Sequence, residues 1–114
     1  MNKRIIITGA TKGIGKAVTE AFAEEGFDLA LNARTLSDLE KFKEDLESKY
    51  PKIEVLIKAT DMSIKEEVLA FSEFVKSRWD RVDVLVNNAG VFFPGEIHKE
   101  DDGVLEKMTE TNLY

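Results

Sequence analysis

The sequence predicts an α/β fold in which parallel strands and helices alternate to form a doubly wound sheet. Three observations carry this. Apolar runs of strand length recur at residues 5–7, 27–32, 53–57 and 82–86. Segments with apolar residues at helical spacing lie between them. No linker, repeat or low-complexity tract interrupts the alternation, which calls for parallel pairing with right-handed crossovers. The strand order expected is 3-2-1-4, the first half of a doubly wound sheet.

Taken in order, Ile5-Ile6-Ile7 is a buried strand. Ile14, Val18, Ala21 and Phe22 then recur at helical spacing, and Gly26 is a natural helix cap. Residues 27–32 read as the second strand. Ser37-Asp38-Leu39-Glu40 is a capping box opening a helix with an apolar face of Leu39, Phe42 and Leu46, stopped before Pro51. Residues 53–57 form the third strand. Ser63-Ile64-Lys65-Glu66 is a second capping box, followed by a stripe of Ile64, Val68, Phe71, Val75 and Trp79. After the fourth strand at 82–86, a loop containing Phe92-Phe93-Pro94-Gly95 leads to a last helix beginning around Val104, Leu105 and Met108. That helix has no terminating Gly or Pro, and a fourth strand at an open edge leaves apolar residues on an unpaired ladder. Residues 1–114 are therefore expected to be one domain that is the N-terminal piece of a longer, truncated protein.

Composition narrows the function. A chain of 114 residues that is 43% hydrophobic and 33% charged has the balance of a soluble globular domain with a modest core. A formal charge of −6 argues against nucleic acid and against anionic membrane as partners. No apolar stretch approaches the roughly 18 residues of a membrane span. The chain has no cysteine and a single histidine, His98, so thiol chemistry, disulfides and a His/Cys metal site are not expected. A cytoplasmic location follows as the expectation.

The sharpest feature is Thr8-Gly9-Ala10-Thr11-Lys12-Gly13-Ile14-Gly15, a glycine-rich turn between a strand and a helix. In such a turn Gly9 can take tight-turn angles and Gly13 admits phosphates close to the main chain. Gly15 lets helix and strand pack closely, and the helix N-terminus offers free N–H donors. Its plain alternative is an ordinary strand–helix turn. The preceding strand and following helix favour a pyrophosphate site.

Three residues separate Gly9 from Gly13, and this Thr-Gly-x-x-x-Gly-Ile-Gly spacing resembles the short-chain dehydrogenase/reductase family. Asn87-Asn88-Ala89-Gly90, directly after the fourth apolar run, is similar to that family's Asn-Asn-Ala-Gly signature. Asp61 stands where the family has an adenine-contacting Asp, and Thr111-Asn112-Leu113 resembles the helix segment that carries its catalytic Asn. The resemblance extends over the whole chain. It implies a Rossmann-type fold, NAD(P)-dependent hydride transfer between nicotinamide and a carbonyl or secondary alcohol such as a small ketone, and a homo-oligomer for the full-length form. Carried over residue by residue, it places Gly9, Thr11, Lys12, Gly13, Ile14, Gly15, Arg34, Asp61, Met62, Asn88, Ala89 and Gly90 at the cofactor, with Asn112 catalytic.

The family's proton donor is a Tyr activated by a Lys four residues later, since an unperturbed Tyr titrates near 10. Neither tyrosine here matches. Tyr50 is followed at the fourth position by Glu54, and Tyr114 is the last residue. The 114 residues alone are therefore expected to be inactive, with Asn112 lacking its partners. For cofactor choice, Leu31-Asn32-Ala33-Arg34 closes the second strand with no carboxylate and a cation immediately after, and Lys12 is a second cation close by. NAD sites usually hold an acidic residue there, so NADP is expected rather than NAD, with Arg34 gripping the 2′-phosphate. Both cations are otherwise ordinary surface charges, Asp61 an Asp that opens a helix, and Asn112 a solvated helical Asn. Read as structural residues, Asn87 and Asn88 tie neighbouring strand ends together. Phe92, Phe93 and Trp79 read as packing and His98 as solvated. A non-catalytic nucleotide-binding module is the alternative function. A methyltransferase-like domain is disfavoured by Ala33-Arg34.

Overall fold

The computed structural model describes residues 2–88. Arg4–Ile7 forms β1, Gly13–Glu24 α1, Asp28–Ala33 β2, Leu36–Lys49 α2, Val55–Ala59 β3, Lys65–Arg78 α3 and Val84–Val86 β4. The strands make one parallel sheet in the expected order, β3-β2-β1-β4. Ile6 sits opposite Ala30 on one side and Leu85 on the other, while Leu31 stands between Ile7 and Ile57.

Because strand side chains alternate across the sheet, the apolar runs feed two cores. Ile6, Ala30, Leu56 and Leu85 face one way and pack with Val68, Phe71, Val75 and Trp79, the buried stripe of α3 and its C-cap. Ile5, Ile7, Leu29, Leu31 and Val55 face the other way. They meet Ala23 of α1 and Leu39, Phe42 and Leu46 of α2. Phe71 is 2% exposed; burying a side chain of that size is worth about 1.5–3 kcal/mol. Helices on both faces and parallel strands between them are the doubly wound, Rossmann-type arrangement.

Gly26 closes α1 as expected. At φ +87° its N–H donates to the Ala23 carbonyl at 3.0 Å, and the Phe27 N–H reaches back to the Phe22 carbonyl at 3.1 Å. The Phe22 and Phe27 rings meet edge to face, 4.8 Å between centroids. This paired bonding with an apolar contact across it is a Schellman ending.

Neither capping box forms. Helix α2 starts at Leu36 after Thr35, and α3 starts at Lys65 after Ile64; neither N-cap residue makes a side-chain cap bond. The Ser63 hydroxyl donates instead to Asp61 Oδ1 at 2.6 Å. A carboxylate is a stronger acceptor than the competing local arrangement, so the turn before α3 is organised by Asp61. Ile64, expected on the buried stripe, is 40% exposed. Strand β3 runs two residues later than its apolar run, to Ala59, and β4 begins at Val84, with Val82 packing partly buried on the α3 core. The last helix, Phe92, Phe93 and His98 lie outside the described residues.

Candidate functional site

The turn between β1 and α1 is set by two left-handed glycines, Gly9 at φ +60° and Gly13 at φ +53°. Only glycine adopts such angles without Cβ strain. Gly15 serves differently. A Cβ there would lie 2.0 Å from the Gly9 carbonyl oxygen and 2.7 Å from Asn88 Nδ2, so its missing side chain lets α1 press against the turn. The N-cap residue of α1, Lys12, makes no side-chain cap bond. Among the described residues the backbone amides of residues 11–15 have no hydrogen-bond partner, whereas the first amide past the turn, that of Lys16, bonds to the Lys12 carbonyl. Unsatisfied N–H groups at a helix N-terminus, with the positive end of the helix dipole, attract an anion.

The floor of the turn is fastened to β4. The Thr8 hydroxyl donates to Asn87 Oδ1 at 3.0 Å and accepts from the Asn88 N–H at 2.7 Å. Asn88 Nδ2 donates to the Gly9 carbonyl at 3.3 Å, and the Thr8 N–H to the Val86 carbonyl at 3.0 Å. The two asparagines therefore tie the ends of neighbouring strands together, as one reading of the sequence held.

At the carboxyl ends of β1, β2 and β3 lies a cleft of about 510 Å³. In open α/β sheets ligands bind at this edge, beside the point where strand order reverses, here between β1 and β4. Gly9, Thr11 and Lys12 line it from the glycine turn; Asn32, Ala33, Arg34, Thr35 and Asp38 from the end of β2 and the start of α2; and Thr60, Asp61, Met62 and Ser63 from the turn after β3. Arg34 makes no hydrogen bond or close ion pair with a described residue, although its charge reaches Asp61. The cleft is not purely cationic, because Asp38 and Asp61 share its wall.

Asp61 is held by its neighbours. Its Oδ1 accepts from the Ser63 hydroxyl at 2.6 Å and the Ser63 N–H at 2.9 Å, and its own N–H donates to Glu67 Oε1 at 2.7 Å. The Ser63 hydroxyl, then the Ser63 amide, pull its carboxyl below the usual carboxylate range; partial burial opposes this and the Arg34 charge adds to it. The carboxylate thus organises the turn into α3, as the helix-opening reading of Asp61 held, while lining the cleft.

Of the expected cofactor residues, Gly9, Thr11, Lys12, Arg34, Asp61 and Met62 line the cleft, and Gly13, Ile14, Gly15 and Asn88 build the turn beside it. Ile14 is 72% exposed at the head of α1. Ala89, Gly90 and Asn112 lie outside the described residues. Sequence reasoning passed over Asn32, Thr35, Asp38, Thr60 and Ser63 as cleft residues. Asn32 alone carried a signal, as a polar residue near the end of an apolar strand.

A sequence profile described as short chain dehydrogenase matches residues 3–114. The NADPH-dependent reductase BacG of Bacillus subtilis is 36% identical over 113 residues, which cover 97% of this chain and 42% of that protein. The alcohol dehydrogenase of the archaeon Thermococcus sibiricus, solved in complex with 5-hydroxy-NADP, superposes with a TM-score of 0.72 at 41% identity, covering 75% of this chain and 36% of the other. L-sorbose reductase of Gluconobacter frateurii, complexed with NADPH and L-sorbose, gives a TM-score of 0.74 at 37% identity over 90% of this chain and 39% of the other. The chain thus spans about two-fifths of the length of these relatives. With the fold, the glycine turn and the profile match in agreement, the chain belongs to the short-chain dehydrogenase/reductase family.

Proposed function

We propose that this chain is the cofactor-binding part of an NADP-dependent oxidoreductase that transfers hydride between nicotinamide and a small carbonyl compound or secondary alcohol. The observation that carries the reading is the run of amides at residues 11–15, without a partner among the described residues, opening beside a cleft that also holds Lys12 and Arg34. These groups suit a dinucleotide phosphate chain at one end and a 2′-phosphate at the other. In support, β2 ends on Ala33, with no carboxylate to claim the ribose hydroxyls in place of a phosphate. Relatives whose names or bound ligands include NADPH or NADP agree with it.

The residues divide the work. The glycine turn would receive the pyrophosphate, Arg34 and Lys12 the 2′-phosphate, and Asp61 and Met62 the adenine end, with Asn88 holding the turn in shape and Ala89 and Gly90 following it. Bound here, the cofactor supplies or accepts the hydride. The proton must come from a group other than Tyr50, which is followed at the fourth position by Glu54 rather than Lys. Asn112 is the one family catalytic position carried by this sequence.

Cofactor titration of the wild-type chain and of Arg34→Ala tests the reading. Wild type should bind NADPH more tightly than NADH, and the substitution should remove most of the difference. A hydrogen bond to a charged group is worth about 1.5–3 kcal/mol, so NADPH affinity should fall at least about tenfold while NADH affinity changes little. Equal affinity of wild type for the two cofactors would defeat it.

A further inference from the structure

Asn32 is a fully buried polar side chain near the end of β2, where Leu29, Ala30 and Leu31 are all apolar and buried. Three of its hydrogen bonds serve the cleft. Oδ1 accepts the Gly9 N–H at 3.2 Å, the backbone carbonyl accepts the Ala10 N–H at 3.0 Å, and Nδ2 donates to Met62 Sδ at 3.4 Å. The orientation of the amide is dictated by its neighbours, because a backbone N–H can only donate and a thioether can only accept. Gly9 therefore always meets the oxygen.

We infer that Asn32 is a positioning residue for the pyrophosphate of the dinucleotide, acting through the Gly9 turn. This rests on the dinucleotide reading of the cleft. Asn32 draws the first two amides of the turn, those of Gly9 and Ala10, toward the protein. The five amides that follow are left without described partners and available to an anion. Without the Asn32 oxygen, the Gly9 N–H would be a donor lacking its partner in a turn held at φ +60°, and the peptide would rotate to find another. The contact from Nδ2 to Met62 Sδ fixes which way the amide faces and so keeps its oxygen on the Gly9 turn.

The test compares two probes on the full chain: NADP+, which carries the pyrophosphate, and adenosine 2′-monophosphate, which reaches the Arg34 end without it. Asn32→Leu keeps the volume and removes the acceptor. It should weaken NADP+ at least tenfold and leave adenosine 2′-monophosphate within twofold. Asn32→Ser, whose hydroxyl is too short to reach Gly9, should give the same split and serves if the leucine variant fails to fold. Equal weakening of both probes would show a merely structural role and overturn the inference, as would unchanged NADP+ affinity in either folded variant. A wild-type chain that binds no NADP+ would overturn the dinucleotide reading itself and the inference with it.

Discussion

Replacing Gly15 by alanine asks whether the glycine turn is built by close contact. A Cβ on Gly15 would lie 2.0 Å from the Gly9 carbonyl oxygen, 2.7 Å from Asn88 Nδ2 and 2.9 Å from the Gly9 carbonyl carbon. The first distance is about 1 Å inside the 3.0 Å below which real Cβ contacts essentially never fall. The obstructing atom is main chain, and it cannot swing aside like the tip of a side chain. It is also pinned, since Asn88 Nδ2 bonds to that oxygen and the following Ala10 N–H is bonded to Asn32. Alanine recovers about 1 kcal/mol of helix propensity relative to glycine. Overpacking costs about 1–3 kcal/mol, and a clash with fastened backbone belongs at the upper end. The net loss should be about 2 kcal/mol, which changes the folded-to-unfolded ratio by up to roughly thirtyfold. Urea unfolding should show it as a lower midpoint with an unchanged slope. NADP+ affinity should fall at least tenfold in the same variant, because the Gly9 oxygen cannot move without the turn. A Gly15→Ala chain within about 0.5 kcal/mol of wild type, with unaltered NADP+ binding, would refute the reasoning.

Gly26→Ala should cost about 1–2 kcal/mol from backbone strain alone, since φ is +87° and an added Cβ meets nothing within 4 Å; an unchanged urea midpoint would contradict the Schellman assignment. Acid should destabilise the fold through Asp61 and Asp83. The Ser63 hydroxyl and amide lower the first, while hydrogen bonds from the Arg81 side chain and then the Arg4 N–H lower the second. Near pH 4 the unfolded chain then binds more protons than the folded one. The stabilisation is complete above the ordinary value of 3.8 and is lost as pH falls through the depressed folded values. Urea midpoints followed from about pH 6 to about pH 2 should drop in this range, less steeply in Asp61→Asn and Asp83→Asn. A wild-type profile that stays level would sink the argument.

Strand order was legible because it depends on alternation and on apolar runs, which are properties of whole segments. Element boundaries depended on single hydrogen bonds that no pattern announces. Strand β3 begins at Val55 because the Asp28 carboxylate takes the Glu54 N–H at 2.8 Å just below it. It runs on through Lys58 and Ala59 because backbone pairing with Asn32 and Ala33 needs no apolar side chain. At the start of α3 the Ser-x-x-Glu spacing was present, but Asp61 competed for the serine and won. In the site, the glycines, Arg34 and Asp61 could be found from motif position. Thr35, Asp38 and Thr60 could not, because the curvature of the sheet and the exit angles of two helices bring them to the cleft. Asn32 was visible only as a break in an apolar strand, and what it bonds to is decided by residues 23 positions before it and 30 after it.

The fastening of Thr8 has a consequence for how the protein is made. Its side-chain partners lie 79 and 80 positions further along the chain, at Asn87 and Asn88. Closing a loop of that length costs about 4 kcal/mol of chain entropy beyond a constant, so the contact is not made before β4 is there to share it. At synthesis rates of about 5–20 residues per second, the glycine turn leaves the ribosome roughly 4–16 s before its anchor exists. During that interval the Thr8 hydroxyl lacks Asn87 and Asn88 and the Gly9 carbonyl lacks the Asn88 amide, and a passing dinucleotide meets an unfinished cradle. The earliest-translated motif of the chain is among the last of its parts to acquire working geometry.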